Sequence, residues 1–188
     1  MSEHLPTPRF GPAGNSERFY QEGHKRTVET FAWQRAMGLT AFEYPFGRGI
    51  SLSDDTAVDI GRAAQEAGVA ISAHAPYYIN LGSDRADAID KSLGYILKAA
   101  HKLRLMGGER LVVHVGAPQK RPREDAMTGA AEGLLKVRRL LMEEGLQAIR
   151  LCLETMGKPS VLGTLEEIIT FVRLDDSFLP CVDFAHLH

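Results

Sequence analysis

The chain is 188 residues long, carries a formal net charge of -2 and is 44% apolar. That composition supports one sizeable soluble core and is short for two domains. It excludes a surface that wraps nucleic acid or membrane by bulk positive charge, so any polyanion must be held at a local site.

Cys152 and Cys181 are the only cysteines, with no Cys-x-x-Cys pair, and Met1 to Arg9 is polar and proline-rich, unlike a signal peptide. No apolar stretch is long enough to span a bilayer. A cytoplasmic protein without a membrane partner is expected.

Residues 1–8 read as a flexible tail and 9–188 as one domain. Arg9-Phe10-Gly11-Pro12-Ala13-Gly14 reads as a short first strand, kept from a regular central place by Pro12. Thr27 is expected to cap a helix carrying Val28, Phe31 and Arg35, which stops at Gly38 before the strand Ala41-Phe42-Glu43-Tyr44. Ser53 caps the next helix, with Ala57, Ile60, Ala64 and Ala67 on one face and Gly68 as its stop. Then comes an apolar strand, Val69 to Ala73, ending at His74.

Asp84 opens a longer helix whose Ile89, Leu93, Ile96, Ala100 and Leu103 form the stripe of a helix covering a sheet. Gly107-Gly108 ends it, ahead of Leu111-Val112-Val113-His114. A helix from about Glu124 to Glu144 follows, turning Met127, Ala131, Leu134 and Leu141 inward. Gly145 closes it before the strand Ile149 to Glu154. Thr164-Leu165-Glu166-Glu167 is a capping box opening a short helix with Leu165, Ile168, Ile169 and Val172 inward. The last strand is Cys181-Val182-Asp183-Phe184.

Strands alternating with helices imply a parallel sheet. An open doubly wound sheet and a (β/α)8 TIM barrel both obey that grammar. The barrel is favoured because polar, ligand-type residues end several different strands.

Side chains alternate across a strand with period two. His74 shares a face with Ala70 and Ser72, His114 with Val112, Glu154 with Cys152, and Asp183 with Cys181. Each ligand candidate lies opposite a greasier set: Val69, Ile71 and Ala73; Leu111, Val113 and Val115; Leu151 and Leu153; Val182 and Phe184. All four would point to the barrel axis at its carboxyl end, where such folds gather ligands. Two imidazoles and two carboxylates there suit a divalent metal of the zinc kind, and Asp183-x-x-His186 adds a third imidazole. The two thiols, each two residues before a candidate, are expected one layer deeper, buried and unreactive.

With these motifs the chain resembles endonuclease IV, the family-2 apurinic/apyrimidinic endonucleases of the xylose isomerase-like TIM barrel superfamily. The motifs are His74-Ala75-Pro76-Tyr77-Tyr78-Ile79-Asn80-Leu81, Val113-His114-Val115-Gly116, Cys152-Leu153-Glu154-Thr155 and Val182-Asp183-Phe184-Ala185-His186. The resemblance implies up to three zinc ions, with manganese as an alternative metal. His74, His114 and Glu154 would hold one, Glu154 would bridge to a second shared with Asp183, and His186 would serve a third. It makes Glu154 catalytic, and it places Tyr77, Asn80 and the loop residue Arg48 against DNA. The implied activity is hydrolysis of DNA phosphodiesters at abasic sites in base excision repair. Lys120-Arg121-Pro122-Arg123 reads either as further phosphate contacts or as an ordinary solvated loop.

A barrel of this class needs about 250 residues, and this sequence reaches only about its sixth β/α unit. Its first metal site is expected to be furnished, its second half furnished, and its third to hold His186, with His188 either a stray ligand or solvent-facing. Open first and last strands predict poor stability, self-association and weak nuclease activity. A sugar isomerase or epimerase of the same superfamily shares Glu154, Asp183 and His186, and a non-catalytic remnant is a third reading.

Overall fold

The computed structural model describes residues 7–47 and 49–187. Arg48, His188 and the first six residues of the expected tail lie outside the described residues.

Five strands form one parallel sheet: β1 (Ala41–Pro45), β2 (Ala70–His74), β3 (Arg110–Val113), β4 (Arg150–Glu154) and β5 (Phe178–Cys181). Their spatial order is their chain order, β1-β2-β3-β4-β5. This order decides between the two folds allowed by the helix–strand alternation. A doubly wound sheet reverses direction at a switch point, whereas strands added always on the same side are barrel staves.

The expected strand at Arg9–Gly14 is reduced to a single parallel bridge, Ala13 to Glu43. Its backbone still runs along β1: the carbonyl of Pro12 accepts from the Glu43 N–H, and the Gly14 N–H donates to the Glu43 carbonyl. Pro12 has no N–H to continue the ladder. Five regular strands and this bridge therefore stand where six strands were expected.

The helices are α1 (Glu17–Gln21), α2 (Thr30–Ala36), α3 (Asp54–Ala67), α4 (Ala86–Leu105), α5 (Arg123–Glu143) and α6 (Leu165–Val172). Ser53 caps α3 by accepting from the Thr56 N–H at 3.2 Å, and Gly68 stops it at φ 66°. Thr164 and Glu167 form the expected capping box of α6. Thr27 is not a cap, because it lies inside a 3₁₀ turn, Thr27–Glu29; the Glu29 carboxylate instead accepts from the N–H groups of Lys25 and Arg26. Helix α1, capped by Ser16, has too few apolar positions to announce itself in a window of helical length.

Apolar faces of α3, α4, α5 and α6 bury Ile60, Leu103, Leu134 and Phe171 against Ile71, Leu111, Val113, Leu151 and Leu153. Each such side chain contributes about 1.5–3 kcal/mol. The inward face of α5 is centred on Ala126, Ala130, Leu134, Val137 and Leu141, leaving Met127 and Ala131 only partly buried. In α6 the buried residues are Ile168 and Phe171, while Leu165 and Ile169 are 41% and 39% exposed.

The last strand starts and ends earlier than expected. β5 stops at Cys181, and Asp183 opens a 3₁₀ turn, Phe184–Leu187, by accepting from the N–H groups of Ala185 and His186. Val182 and Phe184 are therefore not a helix-facing set. They are 40% and 74% exposed.

Candidate metal centre

His74 is the last residue of β2, His114 follows the last residue of β3, and Glu154 ends β4. The alternate residues of these strands are the apolar ones buried under the helices, so the phase of each strand turns its polar end residue to the concave face. There Nε2 of His74 and Nε2 of His114 each lie 2.9 Å from the same oxygen, Oε2 of Glu154. The two imidazole rings stand edge to face, 4.9 Å between centroids. One donor atom from each of the three lies within 4.8 Å of the others, close enough to hold one metal ion.

The tautomer also suits a metal. Nδ1–H of His74 donates to the Ala75 carbonyl at 2.7 Å. That bond leaves the Nε2 lone pair for a ligand, the arrangement found behind most metal-binding histidines.

Glu154, Asp183 and His186 form a second group of the same kind. His186 Nδ1 lies 3.8 Å from Oε1 of Glu154 and 3.5 Å from Oδ2 of Asp183. This same nitrogen is 2.9 Å from the Thr155 carbonyl, to which it donates. In the second group the nitrogen nearest the carboxylates therefore carries a proton. Glu154 belongs to both.

Burial alone would raise the Glu154 carboxyl, but hydrogen bonds from His114 and His74 outweigh it and hold the group well below the usual range. For His74, burial works against the charged ring, yet the hydrogen bond to Glu154 and the one to Ala75 leave its pKa raised. A metal must therefore displace a proton held more tightly than on free imidazole, which titrates near about 6.5. Zinc occupancy at limiting metal is expected to fall as acid protonates the histidines. Equilibrium dialysis across pH 5 to 8 measures it. At limiting metal, occupancy constant down to pH 5 would argue against histidine ligation.

The family model described as a xylose isomerase-like TIM barrel matches residues 31–188. The chain belongs to this family.

Among curated proteins, an uncharacterized protein of Methanocaldococcus jannaschii is 29% identical over 82% of this chain and 55% of its own length. Probable endonuclease 4 of Acholeplasma laidlawii is 31% identical over 61% of this chain and 40% of its own length. This member of the family thus spans about half the length of the curated relatives it matches. Among solved structures, endonuclease IV from Thermus thermophilus superposes with a TM-score of 0.68 at 24% identity, covering 95% of this chain and 64% of that one. The 3-keto-D-glucoside 4-epimerase of E. coli gives 0.73 at 18% identity, covering 94% and 68%. These likenesses show the barrel fold.

On this barrel, Tyr77 and Tyr78 in the loop after β2 are 59% and 40% exposed and pack edge to face at 5.6 Å, beside His74. Asn80 is partly buried, and its Oδ1 accepts from the N–H groups of Gly82 and Ala117, each at 3.0 Å. It knits the loop after β2 to the loop after β3. In Lys120-Arg121-Pro122-Arg123, Arg121 donates to the carbonyls of Gly82, Ser83 and Asp125. Arg123 binds Glu167 and the carbonyls of Pro159 and Val161. Neither guanidinium is free for phosphate. These two arginines staple loops together.

Two supporting residues escaped notice in the sequence. Glu43 shares the inward phase, in register with Ser72. Burial raises its carboxyl, the charge of His74 lowers it and that of Glu154 raises it further, so it belongs to the same electrostatic cluster. A carboxylate between Phe42 and Tyr44 on a strand was the available signal. Thr155, fully buried, exchanges hydrogen bonds with the Asp183 backbone at 2.9 and 3.3 Å and holds the Asp183 turn against β4.

Cys152 is buried among the inward residues, but Cys181 is only half-buried and is level with Glu154. The expected deeper layer holds for the first thiol alone, because β5 ends two residues before Asp183. Burial pushes Cys152 up to about 11 and Cys181 up to about 12. Both should stay un-ionised and react with an aromatic disulfide reagent at pH 7.5 far more slowly than in urea. Equal native and denatured labelling rates would contradict this.

Proposed function

We propose that this chain acts in metal-dependent hydrolysis of DNA phosphodiesters at abasic sites, in base excision repair. The observation that carries the reading is the shared carboxylate: two Nε2 atoms meet one oxygen of Glu154, and the other oxygen faces His186. A carboxylate common to adjacent donor groups is what neighbouring metal ions require. The endonuclease 4 names of two relatives support the same reading. Activity of the whole protein is part of the proposal, since the chain covers 40–41% of those relatives.

His74, His114 and Glu154 would hold the first ion, Glu154 and Asp183 would share a second, and His186 would serve a third. Zinc suits the nitrogen and oxygen donors, with manganese the alternative. A divalent ion so held supplies a Lewis acid and hydroxide at neutral pH. The chain's own groups then orient and bind. Ala75 fixes the His74 ring, Thr155 fixes the Asp183 turn, and the exposed rings of Tyr77 and Tyr78 offer a stacking surface for an unpaired base. Asn80 positions the loop carrying Tyr77, and Arg48 is proposed as a further DNA contact. With an ion bound, the centre would hold backbone phosphates, so a net charge of -2 is no obstacle. The reading places the protein in the cytoplasm, where both thiols stay reduced; no described helix is long and apolar enough to cross a membrane. Among the described residues β5 has a strand neighbour on one side only. Self-association through that edge is part of the proposal, and sedimentation at rising concentration tests it.

Incubation with a duplex containing one abasic site, with zinc or manganese and then with chelator, is the deciding experiment. Metal-restored incision is expected. One observation favours a second reading, sugar epimerisation: Glu154, Asp183 and His186 form a group without His74 or His114. Ketose conversion that survives loss of both histidines, with no incision, would establish it in place of the nuclease.

A further inference from the structure

Arg110 and Arg150 open β3 and β4. Each lies four positions before a metal-centre residue, His114 or Glu154, and so has the same inward phase. At about 3.3 Å per residue they stand about 13 Å away, at the other end of the sheet. They are direct register partners, which sets two positive side chains on the same face of adjacent strands. Like charges placed directly opposite destabilise a sheet. Arg138, which lines a neighbouring cleft with Arg150, pairs with Asp175. Among the described residues Arg110 and Arg150 form no ion pair.

Both line a cleft of about 1390 Å³ that also contains Arg9, Arg62, Ser72 and Gln65, with Glu109 its one acidic lining residue. Among the described residues only Arg62 of the four arginines has a carboxylate partner, Asp59 at 3.4 Å on an exposed surface. Ser72 continues the row as the register partner of Arg110, and Glu43, two strands from Arg110, is the carboxylate at its end. We infer that this cleft binds a phosphate-bearing small molecule. Guanidinium forks match phosphate oxygens two at a time. A multivalent anion between Arg110 and Arg150 removes the repulsion that the bare sheet retains, and the cleft has room for a ligand of metabolite size.

The test uses the full chain in chelator, so that the metal centre cannot capture the probe. Phosphate, pyrophosphate and tripolyphosphate are titrated calorimetrically and by thermal melting at low salt. Affinity is expected to rise along that series and to fall with added sodium chloride. The R110Q/R150Q double variant should bind pyrophosphate at least tenfold more weakly. Without ligand it should melt no lower than the wild type, because a repulsion has been removed. Arg9→Gln, outside the sheet, should weaken binding without changing the fold. Zinc binding at His74 and His114 should be unchanged in both variants. Undiminished pyrophosphate binding by the double variant, no binding by the wild type, or a lower ligand-free melting temperature of the double variant would each overturn the inference. The last would mean that the two charges are already compensated within the chain. None of these outcomes depends on nuclease activity.

Discussion

Glu154→Gln is expected to abolish stable metal binding at the centre and any metal-dependent incision with it. The substitution keeps the shape of the side chain and removes its charge. Both His74 and His114 meet this one carboxylate oxygen at 2.9 Å, and the second donor group uses the other oxygen. Loss of a group that merely supports a ligand costs about 10–100-fold in metal affinity. Loss of a ligand common to two groups should exceed that range. Calorimetric titration of zinc into wild type and variant measures it, and affinities within threefold of each other would refute the shared-ligand geometry.

The same substitution has a signature without metal. A carboxyl whose pKa is depressed on folding adds stability above its unfolded value, about 4.3, and loses it as pH falls through the folded one. His74, whose pKa is raised, adds stability below about 6.5 and loses it as pH rises through its folded value. The metal-free site therefore stabilises most between those two limits. Denaturant melts at pH 5.5 should show the largest gap between wild type and Glu154→Gln, narrowing in stronger acid and at pH 8.

Gly116→Ala is expected to lower the melting temperature by roughly 5–15 °C and to weaken metal binding as well. Gly116 sits at φ 132°, where a side chain is strained, and an added Cβ would lie 2.3 Å from Oδ1 of Asn80 and 2.9 Å from its Cα. Asn80 cannot retreat, because that oxygen holds the N–H groups of Gly82 and Ala117. Gly116 also accepts from the Leu162 N–H at 2.8 Å, so three loops at the carboxyl end of the sheet meet here. Strain of about 1–3 kcal/mol and a lost hydrogen bond of about 1 kcal/mol give a loss of roughly 2–4 kcal/mol. At this chain length each kcal/mol moves the melting temperature by about 2–4 °C. His114 is two residues away and must move with its loop, which is why zinc affinity should fall too. A variant melting within 2 °C of the wild type with unchanged zinc affinity would show that the junction is not rigid.

Local signals carried far in this chain. Ser53 and Gly68 bracket a helix, Thr164 and Glu167 cap another, and Leu93, Ile96, Ala100 and Leu103 mark the buried face of α4, all through interactions within a turn or two of the backbone. Strand parity was equally legible for β2, β3 and β4, because each inward polar residue alternates with side chains apolar enough to be claimed by helices. What lay beyond reach was set by partners distant in sequence. His74 and Glu154 are 80 residues apart and meet at 2.9 Å only because successive strands keep their register. Where β5 ends is a contest between sheet pairing and the turn that the Asp183 side chain makes with Ala185 and His186, and the turn prevails. The fate of Asn80, Arg121 and Arg123 was likewise decided by backbone N–H and carbonyl groups on other loops. A polar side chain announces in sequence that it will bind something. Only the tertiary structure supplies the nearest unsatisfied group, and an unpaired buried N–H or carbonyl is costly enough to claim it before any ligand arrives.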